Sequence, residues 1–86
     1  MLVSWSRHSK ERFAERAAKN GLNYGDVEFE IKKQSVKIKQ EDDKFKTIFC
    51  VGKEFLTAVK AETRDYIHVL TLWESSESEV DLWKKK

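Results

Sequence analysis

Hydrophobic and polar positions change rhythm once along this chain, near residue 34. Before that point apolar residues recur at three- and four-residue intervals. Phe13, Ala14 and Ala17 share one side of a helix over residues 7–19, with Ser6 as its N-cap and Gly21, after Asn20, as its stop signal. Val27 and Ile31 stand four apart and define a second, shorter helix over residues 24–33, whose first turn Gly25 weakens.

Beyond residue 34 the period is two. SVKIKQ (35–40) alternates, with Val36 and Ile38 on one side and Lys37 and Lys39 on the other, and EDDK (41–44) reads as a charged turn. FKTIFCV (45–51) and EFLTAVKAE (54–62) flank Gly52-Lys53, a two-residue link suited to a type II′ hairpin. DYIHVLTLW (65–73) follows Thr63-Arg64, another short link, so these strands form an antiparallel meander. In the tail, Ser76 and Glu79 have the spacing of a capping box, and Val80 and Trp83 lie on one side of a short helix. The expected fold is α+β, a single domain over residues 1–86. It has one or two N-terminal helices, then a four-stranded antiparallel sheet, then a short C-terminal helix.

Alternation also sorts the strands into faces. Phe45, Thr47, Phe49 and Val51 are matched with Phe55, Thr57, Val59 and Ala61, and with Ile67, Val69, Thr71 and Trp73, as the face that meets the helices. The opposite face then carries Lys46, Ile48 and Cys50, then Leu56, Ala58 and Lys60, then Tyr66, His68, Leu70 and Leu72. Its apolar end needs a cover, either the last helix through Trp83 or another subunit. Its cationic end, with Lys46, Lys60, Tyr66 and His68, is expected to be open.

Composition narrows the classes. The 86 residues include ten aromatics, which supply core volume that a small domain needs. One cysteine, Cys50, excludes an internal disulfide and suits a reducing setting, so the expected location is cytoplasmic. No apolar run is long enough to cross a bilayer, so no membrane association is expected. No CxxC or His-rich spacing is present, and neither a metal nor another cofactor is expected. The net charge of +2 gives no sign of a global electrostatic hold on nucleic acid, so any RNA binding must use a local patch.

The string SRHSKERFAERAAKNGL, followed by YGDV, resembles the opening of a large family of small bacterial, archaeal and phage proteins of unassigned function. Their pattern is Thr/Ser-Arg-His-Ala-x-x-Arg, then a second Glu-Arg, a Gly and a short acidic helix start. Leu70-Thr71-Leu72-Trp73 is similar to the apolar-Thr-apolar-aromatic close of that family's last strand. Ser9 departs from the usual Ala, and the middle strands carry no motif. The family is related to BrnT-like toxins and, more distantly, to RelE-like and colicin-type ribonucleases. The resemblance implies a helix-then-sheet fold and a toxin-like endoribonuclease held in check by an antitoxin-like protein.

The residues themselves suit that chemistry. Metal-independent RNA cleavage needs a base for the 2′-hydroxyl, a cation for the phosphorane and an acid for the leaving 5′-oxygen. His8, Arg12 and Arg16, four apart, fall in one strip of the first helix, expected to lie opposite Phe13 and Ala17. His8 sits in the first turn, where exposed N–H groups suit a phosphate, and Arg12 can clamp a phosphate with two donors. His8, Arg12, Arg16 and His68 are therefore the candidate catalytic residues. Lys60, Tyr66, Lys46 and Thr71 are the candidate substrate contacts, with mRNA or tRNA as substrate. Two readings stand beside this one: a non-catalytic nucleic-acid binder on the same fold, and a phage- or virus-type protein-interaction module, either able to form a homodimer. The plainest alternative for the strip is a solvated helix flank laced by pairs such as Glu15–Lys19.

Overall fold

Each end of the first helix is closed by the expected residue. In the computed structural model, which describes residues 2–33 and 36–85, the Ser6 hydroxyl accepts from the Ser9 N–H at 3.1 Å. Gly21, at φ 68°, ends the helix with its N–H on the Ala17 carbonyl at 2.8 Å. Glycine takes that left-handed conformation without a Cβ penalty. The elements run β1 (Leu2–Trp5), α1 (Arg7–Asn20), α2 (Tyr24–Lys33), β2 (Lys37–Glu41), β3 (Lys44–Val51), β4 (Glu54–Glu62), β5 (Tyr66–Glu74) and α3 (Glu77–Lys84). The expected beginning of the first meander strand at residue 35 lies outside the described residues.

The sheet has five strands in the order β1-β5-β4-β3-β2, not four. β1 was not anticipated, and it pairs parallel with β5, so the sheet is mixed. Four residues are too few to show a period, and their partners lie more than sixty positions away in sequence.

The α+β class holds, but the expected faces do not. In the β3–β4 hairpin Val51 stands opposite Glu54, so Phe49 pairs with Leu56 and Thr47 with Ala58. A two-residue turn places its flanking residues on one face, and matching Val51 with Phe55 was off by one. Gly52, at φ 62°, with no positive φ at Lys53, supplies the turn. Leu56, Ala58 and Lys60 therefore meet α1 and α2, while Phe55, Thr57, Val59 and Ala61 take the other side. A second displacement follows on β5, where the register slips between Val59 and Lys60: Thr71 pairs with Val59, and Val69 with Lys60. Ile67, Val69 and then Leu72 face the core, whereas Thr71 and Trp73 turn away.

Between the sheet and the first two helices lie Phe13, Val27, Ile31, Phe49, Leu56, Ile67, Val69 and Leu72, all buried. Trp5 rests on Phe13 and Tyr24, with ring centroids 5.4 and 5.0 Å away, and so ties β1 to α1 and α2. The helices do not share one side. α3 covers the apolar end of the opposite face, its Trp83 edge-on to Phe55 at 5.1 Å. Its capping box is formed as expected, and the same Glu79 carboxylate accepts from the Trp73 indole at 3.0 Å and pairs with Lys46 at 3.5 Å.

The corrected register buries a lysine. Lys60 has no exposed surface; its ammonium lies 2.7 Å from Glu62 and donates to the Ile31 carbonyl at 3.4 Å. That carbonyl belongs to the last turn of α2, where helix carbonyls lack intrahelical partners and carry partial negative charge. Glu62 is shared with Lys37 at 2.7 Å, and Lys37 also sits over the Phe45 ring at 4.2 Å. Burial lowers the Lys60 ammonium from its ordinary value, against the pull of Glu62. For Glu62 burial pushes upward, but the ammonium groups of Lys37 and Lys60 hold the carboxyl below the usual range.

Glu62→Gln leaves the Lys60 ammonium buried without its counter-charge and is expected to cost about 3–5 kcal/mol in urea unfolding, the usual result of breaking a buried pair. Lys37→Gln, at a part-exposed site, is expected to cost much less. Glu79 is also held below the usual carboxylate range: burial acts upward, but the Ser76 N–H, the Trp73 indole, Thr57 and Lys46 outweigh it. A carboxyl lowered in the folded state stabilises the fold above its unfolded value, and that stability is lost as pH falls through the folded one. Thermal stability should therefore drop as pH falls below 4.5, the ordinary value for Glu62 and Glu79, with an accompanying change in tryptophan emission. Glu79→Gln should reduce the pH-dependent loss.

Candidate functional site

The carbonyls of β5 hold the start of α1. Val69 accepts from the Ser6 N–H at 2.9 Å and from the Ser9 hydroxyl at 3.0 Å, and Leu70 accepts from the Ser6 hydroxyl at 2.8 Å. Eight residues into the helix from His8, the Arg16 guanidinium lies 3.9 Å from Glu74 at the far end of β5. α1 thus runs beside β5 from Val69 to Glu74. Ser9, Phe13 and Ala17 point inward. The His8–Arg12–Arg16 strip is not opposite this apolar side, as expected, but flanks it, because each strip residue precedes an inward one by a single position. Phe13 meets Tyr24 of α2 at 4.2 Å, while Arg16 reaches Glu74, so the strip runs along β5.

Charge on the strip is weakly committed. Arg12 stands 3.8 Å from Glu15 with its side chain 50% exposed, and the Arg16–Glu74 distance is similar. An exposed pair such as Arg12–Glu15 contributes about 0–1 kcal/mol, so a phosphate can displace it, whereas the Arg16 side chain is only 28% exposed. His8 is exposed, and among the described residues it has no hydrogen bond or ion pair.

The sheet candidates fall elsewhere. His68 lies on the face that α3 partly covers, half-buried, its Nδ1 2.7 Å from the hydroxyl of Ser4, its register partner on β1. Tyr66, 44% exposed, shares that face at the start of β5, and half-buried Thr71 shares it opposite Val59. Lys46 is there too, but engaged by Glu79. Lys60 does not join them. The hairpin register sends it to the other face and into the core, where it cannot reach a solvent-borne substrate. Four of the eight candidates (Lys46, Tyr66, His68 and Thr71) therefore share one sheet face, and three share the α1 strip. Among the described residues no hydrogen bond or ion pair links the strip to His68.

Three residues that position these groups escaped the sequence reading. Ser4 orients His68, Ser9 binds α1 to Val69, and Glu74 holds Arg16. Only Ser9 carried a signal, since it replaces the Ala of the resembling pattern. Among the described residues no three His, Cys, Asp or Glu side chains gather as metal ligands do, and no helix is long and apolar enough to cross a membrane. The chain matches no protein-family model, no curated protein and no solved structure.

Proposed function

We propose that this protein acts on RNA as a metal-independent, toxin-like endoribonuclease, working from the α1 strip along β5. The observation that carries the reading is the strip itself: an exposed imidazole and two loosely paired guanidiniums at four-residue spacing, on a helix whose start is hydrogen-bonded to β5. In the proposed reaction the 2′-oxygen attacks the adjacent phosphorus and the 5′-oxygen leaves, giving a 2′,3′-cyclic phosphate and a 5′-hydroxyl. His8 takes the 2′-hydroxyl proton, Arg12 and Arg16 neutralise the phosphorane oxygens, and a proton returns to the departing 5′-oxygen. His68, with its ring held by Ser4, is the candidate donor for a substrate that passes round β1, the edge strand beside β5. Thr71 and Tyr66 are candidate contacts for the same strand, whereas Lys46 becomes available only when Glu79 releases it.

The separation of His8 from His68 favours a second reading, in which the strip binds RNA and cleaves nothing. An antitoxin-like partner would cover the strip under either reading.

Incubation with a short structured RNA in EDTA distinguishes them. The expected result is discrete fragments from the unaltered protein, with the rate cut by about 10²–10³-fold in Arg12→Ala and comparably in His8→Ala. Both residues are exposed, so each change should leave stability within about 0.5 kcal/mol, checked by urea unfolding. Undiminished cleavage by both variants contradicts the assignment. Intact RNA with binding that weakens steeply as salt rises supports the non-catalytic reading.

A further inference from the structure

The two outer strands of a sheet expose unpaired backbone groups, and native sheets blunt such edges with charge, proline or bulges. β2 is blunted: Lys37, Lys39 and Glu41 lie on it, and its register slips between Lys39 and Glu41. β1 is not. Its residues are Leu-Val-Ser-Trp, with no charge, and its pairing with β5 is unbroken. Leu2 is 77% exposed beside its partially exposed register partner, Tyr66.

The outward groups on β1 can be assigned. The Leu2 N–H donates to Asp65 at 3.4 Å and the Ser6 N–H to Val69 at 2.9 Å, both inward. In a parallel pair alternate residues bond the same neighbour, so Ser4 also turns toward β5. Val3 and Trp5 therefore turn their N–H and C=O groups away from the sheet. A new antiparallel neighbour must set outward residues opposite outward residues. Placing Val3 of one copy against Trp5 of another, and the reverse, uses every outward group of both strands. It also sets Ser4 against Ser4 on a two-fold axis, the self-complementary geometry of a closed dimer.

We propose that β1 is a self-association edge: two copies pair their β1 strands antiparallel, Val3 against Trp5, and join their sheets into one. An extended segment of an unrelated protein is the competing occupant, but this pairing is specified by β1 alone and needs no second sequence. So short a strand gives an interface well under the standard ~1,600 Å², and the association is correspondingly weak. The inference does not depend on the RNA reading.

Sedimentation velocity from micromolar to near-millimolar concentration should show a monomer–dimer equilibrium. Val3→Pro deletes an outward N–H without touching the β5 ladder, and Leu2→Lys, at an exposed side chain, adds the charge that protects native edges. Both should remain folded by circular dichroism and stay monomeric. Opposed residues of a non-hydrogen-bonded antiparallel pair have Cα atoms about 4.5 Å apart, within reach of a disulfide. In a Cys50→Ser background, Ser4→Cys should therefore cross-link two copies under mild oxidation, and Leu2→Cys should not. A monomer at every concentration, or equal cross-linking from both positions, overturns the proposal.

Discussion

The outer side of β5 is the constraint on which the molecule depends. Carbonyls at Asp65, Val69 and Leu70 receive β1, the corner at Ser6 and the first turn of α1 in succession. That single line of bonds makes the sheet mixed and brings Ser4 to His68. It also lays α1 lengthwise beside the strand. Once the start of α1 is fixed there and Phe13 is committed to the core, the flank carrying His8, Arg12 and Arg16 has only one direction to face. The candidate chemistry is therefore a consequence of how the N-terminal strand and helix are hung on β5.

Charge is used in two different ways. On the outer flank of α1, His8 and Arg12 stand in solvent and Arg16 is partly covered, with long pairs to Glu15 and Glu74, a state from which a polyanion can recruit them at little cost. Beneath α2, Lys60 is taken out of water, and Glu62 cannot be released without leaving that ammonium uncompensated. Both arrangements set cations against glutamates, and burial separates the available charges from the committed ones. Lys46 lies between these extremes, half-exposed but held by a carboxylate that also caps α3 and accepts from Trp73.

Much of the local structure was legible in the chain. The caps at Ser6 and Gly21, the Val27–Ile31 spacing, the Gly52-Lys53 turn and the Ser76–Glu79 box are short-range signals, and each acts within a few residues. The failures are long-range. β1 is defined by a partner at the other end of the sequence, and the bulge near Val59 by a register that only paired strands possess. The misassigned face of β4 had a local remedy, because a two-residue turn already dictates that Val51 and Glu54 stand together. That one-position error moved Lys60 from the core to an open surface and made a structural lysine look like a substrate contact. His8, Arg12 and Arg16 were identifiable as a strip from helical period, whereas their alignment with β5 required the fold.

The most direct test of the central claim, that RNA meets the α1 strip, is to map the contact by nuclear magnetic resonance. A short single-stranded RNA is titrated into isotope-labelled protein at low salt. Shift changes are expected to concentrate at His8, Arg12 and Arg16 and to continue onto Leu70 and Thr71 of β5. Changes confined to the far end of the sheet around Lys46 and α3, or none at all, would contradict that claim.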